Sequence, residues 1–366
     1  MIGRDVATGA ARRVIHAARY VVAVALGVAV LVALYSQRGH FTGALRRTAH
    51  ANPWWSVVAV ASEASSLVAY AALQGRILAA GATHPRFRAL LAITLANDAL
   101  ALTVPGEIAF ASLFRYRQYR HRGASEATAG WTVLTLMVAQ AIGLSALLLV
   151  AVAVSLATST SAGATGAAVV GLIVVVGAGV VLARRDVVVR VLDALVRASR
   201  RVSGHPRDDL AARVEGVLED MRAHEISRRD KLVVVALALA AWCFDLACLV
   251  SAFAAVGERP PWHGLLLAYG VSQIVAVLPI VPGGLGLMEG SLAVILVGYG
   301  ASRVAALAAV LVYRLVSYWL AVVVGWSTFA VMVAHRRRSA GSLDARRADA
   351  GLGRVAPSDG ALTEDA

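Results

Sequence analysis

Charged side chains inside apolar stretches are the residues of this sequence that could carry chemistry. Glu289 and Arg314 lie in two such stretches, and a guanidinium can hold either a carboxylate or a phosphate through two hydrogen bonds. Arg314 is therefore predicted to pair with Glu289, or with the phosphate of a bound ligand. A static buried ion pair is the structural alternative. Glu63, Glu107 and Asp245 are further acids in apolar surroundings.

Two Pro-Gly sequences interrupt apolar segments in the same way. Pro105 is followed by Gly106 and Glu107, and Pro282 is followed by two glycines. Proline removes a backbone donor and glycine loosens the chain, so both sequences predict breaks in helices. The freed backbone groups at such breaks could bind a polar ligand.

The composition decides which solvent surrounds these residues. Of the 366 residues, 59% are hydrophobic and only 16% are charged, which excludes an ordinary water-facing surface. A membrane-spanning helix needs about 20 mostly apolar residues. Charge at the centre of such a helix costs about 2.5–3.5 kcal/mol, so the charged residues should face partners or a cavity.

Six stretches are apolar and long enough to span a bilayer. They are residues 19–36, 54–74, 127–157, 166–183, 232–256 and 304–334. Segments 89–114 and 265–297 carry the two Pro-Gly breaks and are predicted to be re-entrant. The expected fold is an all-α polytopic membrane protein with six spans and two broken helical segments.

Positive charge predicts the orientation. Residues 184–231 hold twelve Lys and Arg, and three arginines follow directly after residue 335. The positive-inside rule places both regions, and the N-terminal residues 1–18, in the cytoplasm. The loop 184–231 is expected to be an amphipathic connector, and residues 336–366 a disordered tail.

The two broken segments resemble each other in sequence. Pro105 and Pro282 are 177 residues apart, and so are the Gly-Ala-Ser sequences that begin at Gly123 and Gly300. Glu63 and Asp245 differ by 182 residues, which predicts a five-residue insertion. With the orientation above, halves 54–157 and 232–335 would form inverted repeats, a common plan of transporters. Chance matching of small residues is the alternative.

The sequence LPIVPGGLGLMEGSL, which begins at residue 278, and VYRLVSYW, which begins at residue 312, resemble the lysylphosphatidylglycerol synthase transmembrane region, also called the flippase-like family. The resemblance covers residues 14–335. It implies lipid handling in a stand-alone form without the aminoacyl-transferase domain, and it leaves the lipid open. The predicted substrate-binding residues are Glu63, Pro105, Gly106, Glu107, Arg115, Asp245, Pro282, Gly283, Gly284, Gly286, Glu289 and Arg314.

Arg115 belongs to a basic and aromatic cluster that follows the first break. The cluster could gather anionic lipid headgroups at a cytoplasmic entrance, or it could be an ordinary positive flank of a span. It consists of Arg115, Tyr116, Arg117, Tyr119, Arg120 and Arg122.

Translocation of a lipid or lipid-linked precursor between the leaflets of the cell membrane is the expected function. No enzymatic activity, cofactor, metal or nucleic-acid partner is expected. The sequence has no Walker-type phosphate-binding loop, so the use of ATP is not implied. Phospholipids or polyprenyl-linked lipids are the expected partners, together with a possible lipid-modifying enzyme. The alternatives are a scaffold for a lipid-modifying synthase and a transferase that uses a polyprenyl-linked substrate.

Overall fold

The described part of the chain consists of nine helices and one short 3-10 turn. The computed structural model describes residues 38–104, 107–158, 227–277 and 282–335. The helices are α1 (Arg38–Ala49), α2 (Pro53–Ala80), α3 (Phe87–Thr103), α4 (Glu107–Arg120), α5 (Glu126–Thr158), α6 (Arg228–Ala255), α7 (Trp262–Val277), α8 (Leu287–Gly298) and α9 (Arg303–His335), and the turn is Pro282–Gly284.

Four of these helices are long and apolar enough to cross a bilayer. They are α2, α5, α6 and α9, which confirms four of the six predicted spans. The other two predicted spans, 19–36 and 166–183, lie outside the described residues. So do most of the loop 184–231, the N-terminal region and the tail after residue 335.

The second Pro-Gly sequence forms a 3-10 turn between helices, as predicted, whereas Pro105 and Gly106 lie outside the described residues. Helix α3 ends at Thr103 and α4 begins at Glu107. In the second segment α7 ends at Val277, and the 3-10 turn precedes α8. Gly283, Gly284 and Gly286 all have positive φ, a conformation that only glycine adopts without strain.

Helices α2 and α6 pack against each other in opposite directions over most of their length. At one end, the backbone N–H of Asn52 donates to the carbonyl of Ala255 (2.7 Å). At the other end, Arg76 forms an ion pair with Asp230 (2.5 Å). These contacts join the start of each helix to the end of the other.

The two helices also end in the same local conformation. After α2, Ala82 has a φ of +57° and the N–H of Thr83 donates to Leu78. After α6, Gly257 has a φ of +75° and the N–H of Glu258 makes the equivalent bond, to Phe253. Each residue pair is 175 positions apart, so the two helix termini repeat.

The predicted insertion between Glu63 and Asp245 is wrong. Helices α2 and α6 both contain 28 residues, and their first and last residues are each separated by 175 positions. At that constant offset the counterpart of Glu63 is Ala238, and the counterpart of Asp245 is Tyr70. The two acids therefore do not occupy equivalent positions.

A second repeated feature lies before α5 and α9. Gly123 and Gly300 have φ angles of +90° and +96°. Ser125 then caps α5 by accepting from the N–H of Thr128 (3.0 Å), and Ser302 caps α9 by accepting from the N–H of Ala305 (3.2 Å). The first residues of the two helices, Glu126 and Arg303, are also 177 positions apart.

Two further features were missed by sequence reasoning. Helix α1 packs against α9, and Gly43 lies at the contact with Val304. Within α9, residues Leu315–Leu320 form a π-helical stretch. Such widened turns are rare and are frequent at functional sites. This one directly follows Arg314.

Candidate functional site

Arg314 lies at the second break and is almost fully buried, at 5% exposure. Its Nε donates to Glu289 Oε1 (2.5 Å), and its Nη2 donates to the carbonyl of Gly283 (3.1 Å). Nη1 lies 3.3 Å from the sulfur of Met288. The guanidinium therefore ties α9 to the 3-10 turn and to the start of α8.

Glu289 links the buried guanidinium of Arg314 to the start of α8. Its Oε2 accepts from the backbone N–H of Gly286 (2.6 Å), at the N-terminus of α8. Its other oxygen accepts from Arg314. A helix N-terminus and a buried guanidinium both attract negative charge. The side chain of Glu289 is 23% exposed, against 6% for that of Arg314.

Tyr318 joins this centre to the other broken segment. Its ring lies 4.4 Å from the guanidinium carbon of Arg314, a cation–π distance, and its hydroxyl donates to the carbonyl of Leu102 (3.1 Å). A Cβ on Gly283 would approach the Tyr318 ring to 2.5 Å and the Leu102 oxygen to 2.7 Å. The second break is thus packed tightly against the end of α3.

The first break is described only at its borders. Pro105 and Gly106 lie outside the described residues, and Glu107 is the first residue of α4. Leu102 lies three residues before Pro105, so its contact with Tyr318 brings the two broken segments together.

A second polar centre surrounds Asp245 on α6. Its Oδ2 accepts from Tyr269 (2.7 Å) and Gln273 (2.8 Å), both on α7, and its Oδ1 accepts from Tyr313 on α9 (2.9 Å). Glu63 on α2 lies at the level of Asp245 in the antiparallel packing of α2 against α6. Four helices thus contribute side chains to this centre.

The two centres are adjacent along α9. Tyr313 contacts the acid centre, and Arg314, the next residue, holds the ion pair with Glu289. The predicted site residues Glu63, Asp245, Gly283, Gly286, Glu289 and Arg314 are therefore brought into one connected region. Gly284 packs on α7, where a Cβ added to it would lie 2.8 Å from the Cα of Ala276.

Arg115 belongs to a third polar group, which is made by the first half. Its guanidinium lies 5.0 Å from the ring centre of Tyr70, and Asp98 is its nearby acid. The Nε of Arg115 is buried and has no hydrogen-bond partner among the described residues. Asp98 also interacts electrostatically with Glu63, which connects this group to the acid centre.

The predicted basic cluster is divided between interior and surface. Tyr119 is buried and donates to Gln74 (2.6 Å), and Arg115 faces Tyr70. Arg120 instead pairs with the exposed Glu126 at 3.6 Å. Arg115 and Tyr119 therefore do not belong to a surface that collects headgroups.

Sequence reasoning missed the tyrosines that hold these charges. Tyr269 and Tyr313 donate to Asp245, and Tyr318 covers Arg314. Their signal was a hydroxyl inside an apolar run, and for Tyr318 a spacing of one helical turn from Arg314. Among the described residues, no group of three or more His, Cys, Asp or Glu side chains could hold a metal ion.

These features define a helical membrane protein whose interior contains charged residues at helix breaks. The chain matches the family described as the lysylphosphatidylglycerol synthase TM region over residues 20–325, and it belongs to that family. This confirms the resemblance inferred from the second break.

Two curated relatives are similar over shorter stretches. Both are described as UPF0104 membrane proteins of Methanothermobacter thermautotrophicus. One is 37% identical over 100 residues, 27% of this chain and 28% of the relative. The other is 29% identical over 93 residues, 25% of this chain and 28% of the relative. Each match thus spans little more than a quarter of the relative's length.

Proposed function

We propose that this protein moves an anionic lipid, or a lipid-linked precursor, between the two leaflets of the cell membrane. The observation that carries this proposal is the buried guanidinium of Arg314, which is held at a helix break beside the N-terminus of α8. Membership of a family named for a lipid synthase's membrane region supports lipid handling.

The chemistry of the site supports an exchange of anions. Glu289 neutralises Arg314 when no ligand is bound, because a buried cation without a partner is costly. A lipid phosphate can replace the carboxylate, since it accepts from both the guanidinium and the amide of Gly286. Glu289 is the more exposed partner, so it is the one that can move away.

The proposed transport uses an inverted-repeat architecture with both termini in the cytoplasm. Helices α2 and α6 run in opposite directions and end alike, and Ser125 and Ser302 cap α5 and α9 in the same way. The site lies where the broken segments of the two halves meet, which is the usual position in such transporters. In this proposal no covalent bond is made or broken.

Exchange of fluorescent phospholipids between leaflets of liposomes tests the function. Reconstituted wild-type protein should accelerate the loss of fluorescence to a quencher that cannot cross the bilayer. Arg314→Lys keeps the positive charge but loses the planar guanidinium, which can donate two parallel hydrogen bonds to one phosphate. This variant should slow the exchange by about tenfold or more. Arg303→Gln, at the exposed start of the same helix, is the matched control and should exchange like wild type.

The outcomes separate binding at Arg314 from general damage. Folded wild-type protein that accelerates no lipid would contradict the proposed function. Normal exchange by Arg314→Lys, and also by the double variant Glu289→Gln with Arg314→Gln, would place the lipid elsewhere.

Side-specific labelling tests the inversion. Ser125 and Ser302 are exposed and structurally equivalent, so Ser125→Cys and Ser302→Cys are matched probes. In a background in which Cys243 and Cys248 are replaced by alanine, Ser125→Cys should react only from the cytoplasm and Ser302→Cys only from outside. Reaction from the same side would exclude inverted repeats.

A second candidate function is a membrane partner for a lipid-modifying synthase. The family description, which names the membrane region of such an enzyme, favours it. Co-purification of a synthase with this chain, combined with no lipid exchange by the purified protein, would select this alternative.

A further inference from the structure

Glu63 and Asp245 lie at the same level of the antiparallel pair α2 and α6, whose register is fixed by the contacts at its two ends. Two carboxylates that face each other in an apolar interior repel, so such a pair favours a proton on one of them. Asp245 already accepts from Tyr269, Gln273 and Tyr313, which favours its ionised form. The proton of the pair therefore belongs on Glu63.

The surroundings of Glu63 agree with this assignment. Its Oε2 is buried and has no hydrogen-bond partner among the described residues. An unpaired oxygen is tolerated more easily on a neutral acid than on a carboxylate, because burying charge without a partner costs more. The next acid, Asp98 on α3, adds negative charge, and Arg115 on α4 faces Asp98 rather than Glu63.

The location of the pair gives the proton a role in movement. Glu63 and Asp245 lie on α2 and α6, the antiparallel helices through which the two halves contact each other. Loss of the proton would leave two negative charges in contact across this boundary. Both residues are half-buried rather than fully enclosed.

We propose that the Glu63–Asp245 pair binds one proton, carried by Glu63, and that this proton couples lipid movement to a proton gradient. The coupling rests on the proposed lipid translocation, whereas proton binding does not. Release of the proton favours separation of α2 from α6 near the pair, and rebinding favours their contact. Tyr269 and Tyr313 keep Asp245 hydrogen-bonded throughout.

Infrared spectroscopy on the full chain in lipid vesicles tests proton binding without any transport. At neutral pH the wild type should show the C=O stretching band of a protonated carboxylic acid. Glu63→Gln should lose that band, since its amide replaces the acid. Glu258→Gln removes a surface acid that pairs with Arg47 and should keep the band. A missing band in the wild type, or one that survives in Glu63→Gln, would overturn the proton site.

Lipid exchange under an imposed pH gradient tests the coupling. The gradient should accelerate wild-type exchange several-fold, whereas Glu63→Gln should exchange at one rate with and without it. Dependence on a sodium gradient at constant pH would overturn the proton as the coupling ligand, and so would a gradient response in Glu63→Gln. If no variant moves lipid, the proposed function fails and the coupling with it, while the infrared band still decides the proton site.

Discussion

The two long helices α5 and α9 begin alike but differ in the side chains that they carry. Their first residues are 177 positions apart, and a serine caps each of them through the same hydrogen bond. At that offset the counterparts of Tyr313, Arg314 and Tyr318 are Leu136, Met137 and Ala141. The two helices therefore begin alike, whereas only α9 carries the residues of the ion pair.

The acids differ between the halves in the same way. Glu63 and Asp245 meet across α2 and α6, but the equivalent positions hold Ala238 and Tyr70. Tyr70 instead supports Arg115. Helices α2 and α6 end alike although one carries an acid where the other carries an alanine or a tyrosine. The difference indicates that the charges serve a purpose other than forming the helices.

The largest expected effect is the loss of the buried cation that α9 has and α5 lacks. Arg314→Gln should lower the free energy of unfolding by about 3–5 kcal/mol, because Glu289 is left charged without its partner. Met137→Gln, at the equivalent position of α5, should cost only about 1 kcal/mol. Chemical denaturation in detergent micelles measures both.

The double variant Glu289→Gln with Arg314→Gln sharpens this comparison. It removes both charges and should regain part of the lost stability, although lipid exchange should stay low. Equal costs for Arg314→Gln and Met137→Gln would show that the ion pair contributes little to the second half.

An intermediate effect is expected where the second break packs against the first half. Gly283→Ala places a methyl group 2.5 Å from the Tyr318 ring and 2.7 Å from the Leu102 oxygen. Strain at positive φ costs about 1–2 kcal/mol, and the overlap adds about 1–3 kcal/mol. Gly300→Ala shares the positive φ but would meet no described atom within 4 Å, so it should show the strain alone.

Thermal unfolding of Gly283→Ala and Gly300→Ala distinguishes these two contributions. Equal melting temperatures would mean that the contact between the second break and Leu102 is loose. A larger loss for Gly283→Ala would support tight packing between the two broken segments.

The smallest expected effect tests the shared scaffold. Ser125→Ala and Ser302→Ala each remove one N-cap hydrogen bond and should each cost about 1 kcal/mol. Unfolding measurements should give the same value for both variants. A clear difference between the two unfolding free energies would show that the two serine caps are not equivalent.

The sequence by itself determined the features that depend on the solvent and on local backbone chemistry. Long apolar runs identify α2, α5, α6 and α9 as spans, because helices of that length satisfy their backbone in lipid. Pro105 and Pro282 marked the two helix breaks, since proline and glycine act on their own backbone. The repeated Gly-Ala-Ser sequences likewise predicted a repeated structure.

Only the tertiary structure decided which polar side chains meet. Tyr269 and Gln273 on α7, and Tyr313 on α9, all lie far from Asp245 along the chain, and packing of α6, α7 and α9 brings them to it. The register of α2 against α6 likewise places Glu63 beside Asp245. The sequence offset between these two acids suggested an insertion instead. An offset cannot show whether two similar residues occupy equivalent positions or contact each other in the folded chain.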